Sequence, residues 1–143
     1  MDIVEFAPEH MEHLLDIWLK ASVQAHDFIP SSFWEGMLPA MQDTYLPAAR
    51  TWVALDNGQP QGFVSLVEDN LAALFVSPDQ QGKGIGRLLM SRAKAQSKRL
   101  QLTVYKENVS AYGFYLAQGF SVLNEQSDPH TGHPELLMEW VGD

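Results

Sequence analysis

Cysteine is absent from the 143-residue chain. That excludes disulfides, a thiolate metal site and any route through a cysteine acyl-enzyme. No stretch approaches the roughly 20 apolar residues of a membrane helix, and Met1-Asp2-Ile3-Val4-Glu5 lacks the basic and apolar regions of a secretory leader. Positive charge is also scarce. Nine Lys and Arg stand against eighteen Asp and Glu, a formal net charge of −9. Nucleic-acid binding wants a basic face, so neither nucleic acid nor a membrane is expected as a partner. What remains is a single cytoplasmic domain over residues 1–143, 45% hydrophobic and long enough to bury a core.

The charge that is present is divided unevenly. Residues 1–76 hold eleven acids and two bases, whereas residues 77–143 hold seven of each. Those seven bases, from Lys83 to Lys106, fall within 24 positions. A basic patch on an acidic body suits an anionic cofactor at one end and a cationic substrate at the other.

Hydrophobic periodicity predicts the order β-α-α-β-β-β-α-β-α-β-β, a layered α/β fold. Residues 3–6 read as a strand. Met11, Leu14, Leu15, Trp18 and Leu19 then form an apolar helical stripe. A loop over residues 26–30 precedes a second helix, capped by Ser31 or Ser32 and distorted or ended by Pro39. Strands at 51–55 and 62–67 flank Asp56-Asn57-Gly58, a hairpin signal. Residues 71–76 are apolar on both alternations, which predicts a central strand covered on both faces. A helix to about residue 97, a strand at 100–104, a helix at 110–118 and strands at 120–123 and 136–141 complete the chain.

Between the central strand and its following helix stands Gln81-Gly82-Lys83-Gly84-Ile85-Gly86-Arg87. Alternating glycines let a backbone turn sharply and approach a ligand. The helix behind them offers free N–H groups and a positive dipole end, so the stretch can hold a phosphate. Its Gly-x-Gly-x-Gly spacing is not the Gly-x-Gly-x-x-Gly of a dinucleotide fold, and Gly86-Arg87-Leu88 does not end a Walker loop.

With Gln81, Gly84 and Gly86 matching Gln/Arg-x-x-Gly-x-Gly/Ala, and Asn108, Ala111, Phe114, Tyr115, Gly119 and Phe120 matching Asn-x-x-Ala-x-x-Phe-Tyr-x-x-x-Gly-Phe, the chain resembles the GNAT family of N-acetyltransferases. The resemblance implies a mixed, mostly antiparallel sheet splayed open after the central strand, with helices on both faces. It implies acetyl-coenzyme A as co-substrate. Backbone groups of Leu74, Phe75 and Val76 would bond the pantetheine arm. Gln81 and the amides of Gly82, Lys83, Gly84, Ile85, Gly86 and Arg87 would hold the pyrophosphate. Asn108 would bond the cofactor near its pantetheine end, and Tyr115 would protonate the departing thiolate as general acid. A phenol of pKa about 10 is protonated at neutral pH and suits that step.

An alkylammonium acceptor must also lose a proton. The first candidate base is Glu68, the alternative is His26, and ordered water is a third route. His26, Phe28 and Trp34, with the loop at 128–134, are expected to border the acceptor groove. His130 and His133 lack a third clear ligand, so no metal is expected. The acidic first half favours a cationic acceptor. A protein lysine side chain or N-terminal amine is favoured over a small amine of the polyamine or aminoglycoside kind. A reading from another class, a non-catalytic acyl-coenzyme A sensor, has no need of Tyr115. Monomer and homodimer both remain open.

Overall fold

Asn57 and Gly58 take positive φ, 51° and 79°, the geometry of a tight hairpin turn, and fold β2 (Arg50–Asp56) back onto β3 (Gln59–Val67). In the computed structural model, which describes residues 1–143, this hairpin sits inside a seven-stranded sheet. Its other strands are β1 (Asp2–Glu5), β4 (Asn70–Val76), β5 (Arg99–Tyr105), β6 (Ser121–Ser127) and β7 (Pro134–Val141). The order is β1-β2-β3-β4-β5-β7-β6, and β4–β5 is the one parallel neighbour pair. Five helical segments connect the strands: α1 (Met11–Ala25), α2 (Ser31–Ala40), α3 (Leu46–Ala48), α4 (Ile85–Gln96) and α5 (Val109–Ala117). None is long and apolar enough to cross a membrane.

The period of two along β2 sends alternate residues to opposite faces. Trp52 and Ala54 join Ile85, Leu89 and Met90 of α4 and Tyr115 of α5 in one core. Val53, with Phe63 of β3, joins Leu14, Ile17 and Trp18 of α1 and Trp34 of α2 in the other. Helices therefore cover both faces, as the family pattern implies.

Of three local expectations, two need correction and one is met. Neither Ser31 nor Ser32 caps α2; Pro30 occupies the capping position and no side chain bonds the first turn. Pro39 distorts the helix, as expected, rather than stopping the helical path: α2 runs one residue past it to Ala40 and continues into a π-helical turn, Met41–Tyr45, before α3. The third concerns β4, which is central but not covered. Only Leu71 of that strand is buried, Ala72 is exposed, and Ala73 to Val76 are half-buried. The reason is the splay. β4 pairs with β3 over most of its length, yet with β5 only at Asn70↔Gln101. Beyond that point the sheet parts, and apolar side chains chosen for a buried strand face a gap.

Candidate active site

The glycine turn does what its spacing predicts. Gly82 and Gly84 have φ of 80° and 86°, and Gly84 directly precedes α4. A Cβ at either would meet nothing within 4 Å, so glycine is needed for the backbone angle rather than for space. Gly86 is different: its Cβ would lie 3.4 Å from Cζ of Phe114, so it permits close approach of α4 and α5. The Gln81 side chain donates to the Val76 carbonyl at 3.2 Å and ties the turn to the end of β4. No acid lies in the first turn of α4, which leaves its positive end unopposed.

Two cavities open from the splay. The first, about 740 Å³, runs from the glycine turn and Arg87 along Leu74–Val76 to α5. The second, about 520 Å³, lies between β4, the end of β5 and the His26–Trp34 region. His26, Leu74, Phe75, Asn108, Ala111 and Tyr115 line both, so a ligand in one meets a ligand in the other at these six residues. The first cavity offers helix N–H donors at one end and, along its wall, a stretch of β4 whose β5-facing edge has no ladder partner. That combination fits a long ligand with an anionic head and an amide-bearing arm, as coenzyme A is.

Tyr115 comes from α5, whose N-cap is Asn108. Its ring is buried at 8% exposure against Phe114 and Phe120. Burial alone pushes its phenol well above the ordinary tyrosine range. The only sealed, unpaired side-chain polar atoms in the protein are Ser22 Oγ and Trp34 Nε1, so the Tyr115 hydroxyl is not closed off from the cavity.

His26 bridges the two helical layers. Its Nδ1 lies 2.8 Å from the Ser22 carbonyl, which can only accept, so Nδ1 carries the proton. Nε2 is then the lone-pair nitrogen and accepts from Asn108 Nδ2 at 3.2 Å. Asn108 Oδ1 accepts from the Ala111 N–H at 3.2 Å, so that side chain holds α5 and His26 together. The imidazole stacks on Trp34, with centroids 4.8 Å apart, and meets the Tyr105 ring edge-on at 5.1 Å. Burial lowers its pKa, against a smaller raising effect of the bond to Ser22.

Beside Tyr105 lies Asp128, 8% exposed. One of its oxygens accepts from the Tyr105 hydroxyl, and the other accepts from the His130 N–H at 2.8 Å. Burial pushes this carboxyl up, but the hydrogen bonds outweigh it and hold the group below the usual carboxylate range. Burial and the same carboxylate push the Tyr105 phenol up to about 12. Asp128 and Glu135 line the second cavity, and no Lys or Arg does.

Of the residues expected from sequence, the cavities gather His26, Trp34, Leu74–Val76, Gln81, Gly82, Gly84–Arg87, Asn108 and Tyr115. Three fall outside. Glu68 occupies the β3–β4 turn with φ 54°, at the opposite end of β4 from Leu74. Asn70 to Leu74 alone spans about 13 Å of strand at ~3.3 Å per residue. A carboxylate there has no path to the junction of the cavities. Lys83 turns its ammonium to Gln80 at 3.2 Å and lines neither cavity. Phe28 packs edge-on against Tyr105 and His133, supporting the wall from behind. Tyr105, Asp128 and Glu135 were not anticipated. The loop at 128–134 was expected to border the groove, but nothing local singles out these side chains.

Residues 47–122 match the family model described as an acetyltransferase (GNAT) domain. The chain is 37% identical over 128 residues to the peptidyl-lysine N-acetyltransferase YiaC of Escherichia coli K12, covering 89% of this chain and 88% of that one. The solution structure of apo-form YjaB from Escherichia coli superposes with a TM-score of 0.86 at 32% identity, covering 99% and 98% of the two chains. The PaiA N-acetyltransferase of Thermoplasma acidophilum, solved in complex with coenzyme A, shares the fold at a TM-score of 0.83 and 18% identity, over 98% of each chain.

Proposed function

This chain belongs to the GNAT family of acetyltransferases, and from that premise we propose that the acceptor for its acetyl group is the side-chain amine of a protein lysine. It is an acetyl-coenzyme A-dependent N-acetyltransferase. The observation that carries the acceptor reading is the pair of cavities joined at Leu74, Phe75, Asn108 and Tyr115. One has the donors for a coenzyme; the other has aromatic walls, two carboxylates and no Lys or Arg. A lysine side chain matches the second, with an apolar stem for the walls and a cation for the carboxylates. The name of the relative YiaC supports the same acceptor.

Acetyl-coenzyme A supplies an acetyl thioester, a carbonyl open to attack with a thiolate to lose. Around it, the β5-facing backbone of β4 orients the arm, and a β4 N–H stabilises negative charge on the carbonyl oxygen. The Tyr115 hydroxyl donates its proton to the leaving sulfur; its raised pKa keeps that proton available over the working range. His26 Nε2 sits at the junction with its lone pair held by Asn108 Nδ2, and takes the amine's proton, directly or through one water, once that bond is released. Asn108 keeps that imidazole in the required tautomer. Glu68 has no part in this arrangement.

The test is thiol release from acetyl-coenzyme A across lysine peptides, N-terminal peptides lacking lysine, and small polyamines. Turnover of lysine peptides at a kcat/KM at least tenfold above the other two groups is expected. Preference for a small amine or an N-terminal amine would overturn the reading.

A further inference from the structure

Buried charges in proteins are normally paired with an opposite charge. Asp128 breaks that pattern. It is among the few buried charged side chains, yet none of the ion pairs of the fold includes it: those are Lys20–Asp16, Arg99–Glu139, Lys106–Glu125 and His133–Glu107. The His130 ring helps through space but brings no ring nitrogen within 4.0 Å. Tyr105 O–H and His130 N–H reach the carboxylate, and the Thr131 hydroxyl beside it also favours its charged form. All three are neutral donors, and a carboxylate has about four lone-pair positions, so accepting capacity is left for a cation. The group also forms part of the wall of the 520 Å³ cavity, one hydrogen bond and one aromatic contact from His26 at the junction.

The donors that do reach Asp128 set its position. Tyr105 is the last residue of β5 and pairs with Glu135 of β7, which brings the loop between β6 and β7 back over the cavity. The Asp128 N–H donates to the His133 carbonyl at 2.9 Å and its carbonyl accepts from the Gly132 N–H at 2.8 Å, closing that loop on itself. The carboxylate is thus held ionised and aimed by a rigid frame, without a cation of its own.

We propose that Asp128, positioned by Tyr105, is the anchor for the acceptor's ammonium group, which supplies the missing counter-charge. This rests on the lysine reading above and sharpens it: the group recognised is a charged alkylammonium, met by Asp128 with Glu135 behind it and by the face of Tyr105. The anchor recognises; it does not take the proton. An anion beside an ammonium holds the proton on nitrogen, so deprotonation follows as the amine moves on toward His26 and the junction.

The experiment uses the intact enzyme with coenzyme A, which lacks an acetyl group and permits no turnover. Binding of a lysine peptide is compared with that of the same peptide carrying norleucine, its uncharged counterpart. Wild type should favour lysine by at least ~10-fold, the range of a charge-assisted hydrogen bond. Asp128→Asn keeps one acceptor oxygen, for the His130 N–H, while the Tyr105 hydroxyl can turn to accept from the amide NH2, and the variant should bring the two peptides within about twofold. In turnover with acetyl-coenzyme A, the same variant should raise KM for the lysine peptide by ~10-fold or more while kcat and KM for acetyl-coenzyme A hold. Tyr105→Phe, which frees the carboxylate to turn, should give a smaller change in the same direction. A kcat loss with unchanged KM would mark Asp128 as a base and overturn the proposal, as would equal binding of the two peptides by wild type. If small alkylamines prove to be the acceptors, the protein-lysine reading fails separately, and the anchor is then judged by whether Asp128→Asn raises KM for butylamine by the same factor. Should Asp128→Asn not fold, the wild-type preference of lysine over norleucine and the Tyr105→Phe shift in it decide the matter.

Discussion

Removing the Tyr115 hydroxyl separates two roles that a buried tyrosine can have. As a packing residue, Tyr115 contributes through its ring, which touches Phe114 and Phe120 with centroids 5.6 and 5.7 Å away. Phe keeps those contacts. The hydroxyl raises no partner's bond count: burial is the sole cause of its pKa shift, with no hydrogen bond contributing. Tyr115→Phe therefore leaves no protein group unpaired, and stability should change by less than about 0.5 kcal/mol. As a general acid, the same oxygen supplies a proton that the departing sulfur needs. Loss of a positioned acid costs about 10²- to 10⁴-fold in rate, and the lower bound corresponds to about 2.7 kcal/mol of barrier. Steady-state thiol release at saturating lysine peptide, paired with a thermal melt and a coenzyme A titration, reads all three quantities. The expected result is a kcat at least 100-fold lower with an unchanged melting point and coenzyme A affinity. The wild-type rate should also show no alkaline fall from this phenol below about pH 10, because burial raises its pKa from the ordinary value. Unchanged kcat in Tyr115→Phe would refute the acid role outright, and a lost melting transition would show that the hydroxyl holds the fold instead.

Two further outcomes follow from the frame around the site. A Cβ at Gly62 would lie 2.8 Å from the Phe75 carbonyl oxygen and 3.2 Å from a Leu89 methyl. Gly62→Ala should cost about 1–3 kcal/mol by overpacking, seen as a lowered melting point, and should weaken coenzyme A binding because the strand that must move is the cavity wall; unaltered affinity would show that the Phe75–Val76 backbone does not contact the cofactor. His26 has its pKa lowered below the ordinary 6.5 by burial, so the unfolded chain binds this proton more readily than the folded one. Its contribution to stability is present above about pH 6.5 and is lost as the pH falls through the lower folded value; denaturant melts of wild type and His26→Gln should converge with acidification, and a wild-type stability flat from pH 7.5 to 5 would refute the assignment of a neutral, buried imidazole.

How much of this was legible depends on how locally each feature is specified. The glycine turn is written in five consecutive residues, and Gly82 and Gly84 adopt the angles their spacing demands. Asn57-Gly58 fixes a hairpin in the same way. Helix 85–96 follows from its own stripe. The state of β4 is another matter: its pattern reports that both faces are apolar, and has no means of reporting that its neighbour pairs at one residue and then departs. Glu68 was attractive because it is an acid close in sequence to the central strand; strand direction puts it at the wrong end. Asp128 was invisible for the converse reason. It is 23 positions from Tyr105, and only the pairing of β5 with β7 brings them together. The capping role of Asn108 was hidden behind its family role, since the same amide that matches a motif also closes a helix.

The single β4–β5 contact also bears on how the molecule unfolds in parts. Strands β1 to β4 form one hydrogen-bonded ribbon and β5, β7 and β6 form another, with one register pair between them. The core beneath α4 fastens the two ribbons on one face through Leu89, Leu100 and Leu102, and on the other face Tyr105 of β5 packs against the core that holds Val53 and Phe63. A ligand laid along the free edge of β4 behaves as an eighth strand, closing a seam that the polypeptide leaves unsewn. Amide exchange along residues 72–76 should then be governed by local opening of that seam rather than by the global transition, and cofactor concentration becomes the variable that sets how independently the two ribbons move.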